Sequence, residues 1–292
     1  MNVYEETQLI LHKYKIQANK SLGQNFLVDD NVIDEIIRSS NIDKQDLIIE
    51  IGPGLGVLTN RLLQEANNVI AVELDKRMVN ILQDRFILNI NGQAESKLEI
   101  INEDILKINL NEIIAEKRKQ TEIKNVKIVA NLPYYISTPI IMKLLENRLD
   151  IDEIIVMVQK EVALRMVAKP GTKDYGALSV AVQYYTEPDI VLDVPPKSFL
   201  PAPAVTSSVI RCVLRDKPPV DVIDEKLFFR VVKAGFAQRR KTFANTMKTT
   251  GLSKDRIEEL LAKANIDGQR RGETFTLQEF ADVANAWASL IK

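Results

Sequence analysis

Asn131, Leu132, Pro133 and Tyr134 follow directly on Val126, Ile128, Val129 and Ala130, an apolar, β-branched run. That run reads as a short buried strand of a parallel sheet, delivering Asn131 at its carboxyl end. In open α/β sheets, ligands sit at that end. The residue types suit the holding of a planar amine. An Asn side-chain carbonyl accepts a hydrogen bond from an amino group. So can the backbone carbonyl of Leu132 or Pro133, where the proline stiffens the turn. Tyr134 supplies a face on which a base can stack. Alone, the quartet is equally a strand end and a proline turn, so the strands upstream decide its meaning.

The run Leu47-Ile48-Ile49-Glu50-Ile51 reads as a strand and passes into Gly52-Pro53-Gly54-Leu55-Gly56, with a helix expected from near Leu58. Glycines let the backbone turn tightly and approach a ligand without Cβ atoms in the way. The next strand, 69–72, ends in Glu73, 17 positions beyond Gly56 (73 − 56), where a carboxylate can accept both ribose hydroxyls of a nucleoside. A dinucleotide loop would place its last glycine where Val57 stands, and the segment lacks the Lys and Ser/Thr ending of a phosphate-binding P-loop. The loop therefore suits a nucleoside bearing an amino-acid tail rather than a pyrophosphate. A third strand, Leu98–Ile101, ends in Asn102-Glu103-Asp104, with Asp104 placed to accept from an adenine amino group. Four successive strands thus end in groups suited to one pocket. Separate turns do not explain that recurrence.

The other elements must hold this row of strand ends in place. Residues 5–20 read as a basic helix, and Asp29 or Asp30 can cap a helix with Val32, Ile33, Ile36 and Ile37 on one side. A fifth strand at 154–158 precedes helices at 160–167 and 177–185; strands at 190–194 and 206–214 then form a hairpin that completes a seven-stranded sheet. Between those last strands, Pro195, Pro196, Pro201 and Pro203 exclude helix and present Phe199 from a stiff, extended loop. Asp216-Lys217-Pro218-Pro219 reads as a linker. Beyond it the apolar period turns helical, with Leu227, Val231 and Ala234, then Ile257, Leu260 and Leu261, then Phe280, Val283, Ala284 and Trp287.

Composition narrows the chemistry. The 292 residues, 46% hydrophobic and 27% charged, suffice for one large core and a smaller second domain. No apolar run reaches membrane-spanning length and the start, through Gln8, is polar and acidic, so a cytoplasmic protein without membrane contact is expected. Cys212 is the only cysteine and His12 the only histidine. Disulfides, multi-thiolate metal sites and His-dependent nucleophiles are excluded within one chain unless His12 itself takes part, and no metal is expected. The net charge of −1 hides an asymmetry: residues 230–271 hold eleven Lys and Arg against four Asp and Glu, leaving 28 against 36 elsewhere. Lys13, Lys15 and Lys20 lie in a second, acid-free stretch. Two basic stretches on an otherwise acidic chain suit a polyanion, although a solvated helix face has the same composition. Arg239, Arg240 and Lys241, read as helical, would point about 100° apart and could not all face a core. Arg270 and Arg271 close the same run.

With these residues assembled, the chain resembles the ribosomal RNA adenine N6-dimethyltransferase family, and within it the bacterial small-subunit branch. The resemblance runs over nearly the whole length. It covers Gln24-Asn25-Phe26-Leu27, the segment from Glu50 through Gly56, Asn131-Leu132-Pro133-Tyr134, Phe199-x-Pro201-x-Pro203-x-Val205-x-Ser207 and Gln238-Arg239-Arg240-Lys241, without departure at these positions. It implies a Rossmann-like α/β class I S-adenosylmethionine-dependent methyltransferase domain over 1–216, with a seven-stranded, mostly parallel sheet and a basic N-terminal extension. A small all-α domain over 217–292 would dock RNA and the ribosome.

The implied acceptors are two adjacent adenosines near the 3′ end of small-subunit (16S) ribosomal RNA, in a partly assembled 30S particle, so that the protein would serve subunit biogenesis as a cytoplasmic monomer. By the same resemblance, Asn25 and Leu27 close over the cofactor, Gly52 and Gly54 pass beside its methionine part, Glu73 binds its ribose and Asp104 its adenine. Asn131 faces both cofactor and target amine. Pro133, Tyr134 and Phe199 surround the target base, and Lys13, Lys15, Lys20, Arg239, Arg240, Lys241, Arg270 and Arg271 meet RNA. Three other readings share the core. A large-subunit dimethyltransferase of the antibiotic-resistance type lacks the long basic C-terminal segment. Glutamine and DNA-amine methyltransferases carry Asn-Pro-Pro-Tyr where Leu132 stands here. A non-catalytic RNA-binding assembly or transcription factor would not need intact Gly52, Glu73, Asp104 and Asn131.

Overall fold

The computed structural model describes residues 1–19, 22–87 and 97–291, so Lys20 lies outside the described residues. In chain order the elements run α1 (Val3–Lys13), β1 (Phe26–Leu27), α2 (Asp30–Ser40), β2 (Leu47–Ile51), α3 (Val57–Glu65), β3 (Asn68–Val72), α4 (Lys76–Phe86) and β4 (Leu98–Ile101). There follow α5 (Leu110–Gln120), β5 (Val126–Asn131), α6 (Ser137–Glu146), β6 (Glu153–Gln159), α7 (Lys160–Val167), α8 (Ala177–Tyr185), β7 (Thr186–Val194), β8 (Phe199–Leu200) and β9 (Ser207–Leu214). The C-terminal helices are α9 (Glu225–Phe236), α10 (Phe243–Met247), α11 (Lys254–Lys263) and α12 (Leu277–Ile291).

Chain packing divides into two units, one formed by Met1–Ala163 with Pro188–Leu214, the other by Leu164–Glu187 with Arg215–Lys292. The first holds a seven-stranded sheet in the order β4-β3-β2-β5-β6-β9-β7. Its inner strands are mostly buried, as a sheet covered by helices requires; all five residues of β2 are buried. Strands β2 to β6 are parallel in their pairings, and β9 runs antiparallel to β6. The final strands β9 and β7 are neighbours and complete the seven-stranded sheet at one edge. Helix α2 starts where the Asp29 carboxylate accepts the Asn31 N–H at 3.1 Å, and lays Val32, Ile33 and Ile36 on the sheet.

The second unit has its own core, in which Tyr184 stacks on Phe228 at 4.9 Å and Phe243 packs against Phe275 at 4.3 Å between ring centroids. This corrects the single boundary expected after 216. Residues of α8 such as Val180 and Tyr184 are buried among the C-terminal helices, so 164–187 belongs with them. Each large apolar side chain so buried contributes about 1.5–3 kcal/mol, which fixes the segment's allegiance. The basic segment 238–241 is likewise no helix. It is a turn between α9 and α10.

Candidate active site

Strand register sets the site. Ile51 lies opposite Val72 and Val72 opposite Ile101. One residue further, the Gly52 N–H donates to the Val72 carbonyl and the Glu73 N–H to that of Ile101, each at 2.9 Å. Val129 of β5 lies opposite Glu50, which brings Asn131 level with Gly52. From β2 the chain winds outward through β3 and β4 on one side, and from β5 through β6 on the other. The crevice at such a reversal is where open α/β sheets bind ligands. One cleft is lined there by Gly52, Gly54, Glu73, Asp104 and Asn131 together with Asn25, Leu27, Pro133 and Tyr134.

The glycine loop leaves β2 with Gly52, Gly54 and Gly56 at φ +67°, +58° and +80°, a region that disfavours any side chain. Its turn aims the Gly54 N–H at Glu73 Oε2, 3.1 Å away, while the Asp75 N–H donates to Glu73 Oε1 at 2.8 Å. Burial raises the Glu73 pKa and these two backbone donors oppose the rise. Each carboxylate oxygen keeps a further lone pair for hydroxyl donors in the cleft. Asp104 caps its own turn by accepting the Leu106 N–H through Oδ1 at 2.9 Å, which leaves Oδ2 for an amino group.

Glu50, which the sequence places two residues ahead of the glycine loop without a role of its own, is also at the site. It is 1% exposed, it lines the cleft, and Thr59 Oγ1 donates to it at 2.6 Å. Burial pushes its carboxyl up to about 8, against the pull of Thr59 and with a smaller push from Glu73. Its signal was an acid inside an otherwise apolar strand.

The segment before α2 crosses the cleft and is tied down at several points. Gln24 accepts from the Asn19 N–H at 2.8 Å and donates to Asp75 at 3.0 Å. The Arg77 guanidinium beside Asp75 holds that carboxyl below its usual range. Asn25 donates from its side chain to the Gly23 carbonyl at 3.2 Å, and β1 pairs antiparallel with β8, placing Leu27 opposite Phe199. That pairing also seats Phe199. Its ring is 3% exposed, packed in the core beside Leu27, and absent from the cleft lining. A strand directs side chains alternately to opposite faces, and here Phe199 takes the inner one.

Asn131 donates its side-chain N–H to the Asn25 carbonyl at 3.3 Å, so its amide oxygen is the atom left to accept. Of the two backbone acceptors, the Pro133 carbonyl already takes the Ile136 N–H at 3.2 Å. Among the described residues no donor reaches the Leu132 carbonyl, while the Leu132 N–H is fixed on Met157 at 3.1 Å. Pro133 therefore shapes the turn and Leu132 offers the acceptor. The Tyr134 hydroxyl is hydrogen-bonded to the Ser207 hydroxyl, and burial raises its pKa.

The basic candidates separate into engaged and unengaged cations, none of them in the cleft lining. Lys13 pairs with Asp84 at 2.9 Å, Arg239 faces Glu273 at 3.5 Å, and Arg270 is bound to Glu279 while lying 4.7 Å over the Phe275 ring. Lys15, Arg240, Lys241 and Arg271 are exposed, and among the described residues their side chains meet no partner. Also among the described residues, no helix is long and apolar enough to cross a membrane.

The sheet order, the strand-end row and the two-acceptor turn define a class I S-adenosylmethionine-dependent methyltransferase. Its residues fit that cofactor: glycine backbone without Cβ atoms where a chain must pass, and a backbone-fixed carboxylate with free lone pairs where a ribose must sit. A family model for ribosomal RNA adenine dimethylase matches residues 15–288, and the chain belongs to that family. A ribosomal RNA small subunit methyltransferase A of Alkaliphilus oremlandii is 48% identical over 283 residues, 96% of each chain. A protein of that name from Clostridioides difficile is 47% identical over 286 residues, covering 98% of this chain and 96% of its own. Among solved structures, a dimethyladenosine transferase from Plasmodium falciparum shares the fold with a TM-score of 0.72 at 23% identity, over 88% of this chain and 95% of that one. The 23S rRNA methyltransferase ErmE shares it with a TM-score of 0.62 at 22% identity, over 90% and 99%.

Proposed function

We propose that this chain dimethylates the N6 amines of two adjacent adenosines near the 3′ end of small-subunit ribosomal RNA, within a partly assembled subunit, as a cytoplasmic monomer. The observation that carries the chemistry is the pair of acceptors at the end of β5: the Asn131 amide oxygen, oriented by its donation to Asn25, and the unengaged Leu132 carbonyl. An adenine amine is a poor nucleophile because its lone pair is delocalised into the ring. Two fixed acceptors draw its hydrogens toward tetrahedral geometry and free that pair. The bound cofactor supplies a methyl group already activated on its sulfonium. Positioning then matters more than a general base, and the absence of a histidine from the cleft lining is no obstacle. The proton leaves after transfer, since the alkylated amine is strongly acidic.

Tyr134, its hydroxyl held by Ser207, offers its ring to a base that has left its stack. Glu73 takes the cofactor ribose, Asp104 its adenine, and Gly52 and Gly54 its amino-acid tail, with Asn25 and Leu27 closing over it. Relatives at 46–48% identity are named for the small subunit, which supports that substrate over the large one. The helical unit, with its unengaged Arg240, Lys241 and Arg271, is the proposed RNA-docking part.

Nucleotide-resolution mapping of labelled methyl groups on undermethylated small subunits tests the reading. Transfer to two adjacent adenosines is expected, with near-complete loss in Asn131→Ala and much less loss in Tyr134→Phe than in Tyr134→Ala. Stacking is worth about 1–3 kcal/mol per base, and the phenylalanine ring keeps it. Binding without any transfer would instead mark a non-catalytic assembly factor.

A further inference from the structure

Tyr135 lies next to the proposed stacking residue but differs from it in every contact. Its side chain lines the cleft yet is 52% exposed. Its hydroxyl has no hydrogen-bond partner among the described residues, whereas that of Tyr134 is held by Ser207. One edge of the Tyr135 ring rests on Gly23: a Cβ built there would stand 3.2 Å from the ring, and Gly23 has φ +60°. The segment over the cleft therefore omits a side chain just where the ring approaches. What remains is an aromatic face at the mouth, backed on one side and open on the other. The open face is therefore free to take a flat stacking partner.

We infer that Tyr135 is a second base platform, holding the nucleotide adjacent to the target adenosine while that adenosine occupies the cleft. The inference rests on the RNA reading above. Extruding one base strips its neighbour of a stacking partner, and an exposed ring beside the mouth can replace it. Tyr134 and Tyr135 are consecutive in the tight turn closed by the Ile136 N–H on Pro133, and their contacts differ: Ser207 for one, Gly23 for the other. They can therefore serve two bases rather than one. A substrate with two adjacent purines to be presented in turn suits such a pair.

The test compares wild type, Tyr135→Phe and Tyr135→Ala on undermethylated small subunits, with transfer mapped at each nucleotide. Cofactor affinity and thermal unfolding are measured alongside. Tyr135→Phe should stay within about 2-fold of wild type, and Tyr135→Ala should lose roughly 10-fold in kcat/KM, the loss of one stacked base. Cofactor affinity and unfolding temperature should not move. On subunits reconstituted with an abasic neighbour, wild type should fall to the rate of Tyr135→Ala, and the variant should lose nothing more. An unimpaired Tyr135→Ala overturns the inference. So does a loss matched by equal weakening of cofactor binding, which would make the ring only a prop for Gly23, or a loss that adds fully to that of the abasic site. If wild type itself transfers nothing to adjacent adenosines, the RNA reading falls and this inference with it.

Discussion

Glu50 and Glu73 are both buried carboxyls of the cleft, and burial raises the pKa of each. Glu73 takes two backbone N–H groups, which favour the anion, while Glu50 has one hydroxyl donor and is pushed up to about 8 by burial. Between about 4.5 and about 8 the folded protein holds a Glu50 proton that the unfolded chain has lost, so this residue makes stability fall as pH rises through that window. Glu50→Gln has no proton to lose. Its stability relative to wild type should therefore climb from pH 5 to pH 8, by at most about 1.4 kcal/mol per pH unit, and level off outside. Denaturant unfolding of the ligand-free protein across that range checks it; a constant difference would show Glu50 ionised throughout. At this scale the sequence was most legible where a polar residue directly ends an apolar strand. Glu73 directly follows β3 and Asn131 closes β5, and both stand in one cleft with Gly52 and Asp104. The burial of Phe199 opposite Leu27 and the approach of the Tyr135 ring to Gly23 were not legible. Neither contact is local in the chain.

Elements position these groups through close packing that leaves little tolerance. Gly56 closes the glycine loop and opens α3, at φ +80°. A Cβ there would stand 2.6 Å from Leu82 and 2.7 Å from Phe86, both on α4, so the loop, α3 and α4 are locked together at this point. Gly56→Ala combines a left-handed backbone penalty of about 1–2 kcal/mol with overpacking of about 1–3 kcal/mol. A loss of about 2–5 kcal/mol in unfolding free energy is expected. A variant within about 0.5 kcal/mol of wild type, the range of ordinary surface changes, would mean that α4 shifts freely and does not hold the loop. The existence of most helices and strands could be read from apolar period alone, because that period reports which face is buried. Which core receives the face is a different matter. Helix α8 has an apolar face that suits either unit, and contacts such as those of Tyr184 with Phe228 and Phe229 assign it to the second. The turn at 238–241 was hidden for the opposite reason: its charged residues carry no apolar period at all.

Across the whole molecule, the chain packs into two units, passing between them after Ala163, Glu187 and Leu214, and the proposed function gives methyl transfer to one and RNA docking to the other. Cations counted from sequence overstate what is available to phosphate, since Arg239 and Arg270 are committed to Glu273 and Glu279 inside the helical unit. Replacing those two would disturb packing and charge together. Arg240, Lys241 and Arg271 are exposed without side-chain partners among the described residues, so their loss should act on RNA alone. The triple variant Arg240→Ala, Lys241→Ala, Arg271→Ala should bind undermethylated small subunits more weakly. Each lost phosphate contact should flatten the dependence of log affinity on log salt by about 0.7–0.9, or roughly 2–3 for all three. Thermal unfolding and cofactor affinity should match wild type, because these residues touch neither a core nor the cleft. Binding measured over a salt series, beside calorimetry with cofactor, decides the point. If the folded triple variant keeps both affinity and slope, docking does not use this turn, and Lys15 with Lys13 at the other basic stretch becomes the surface to replace next.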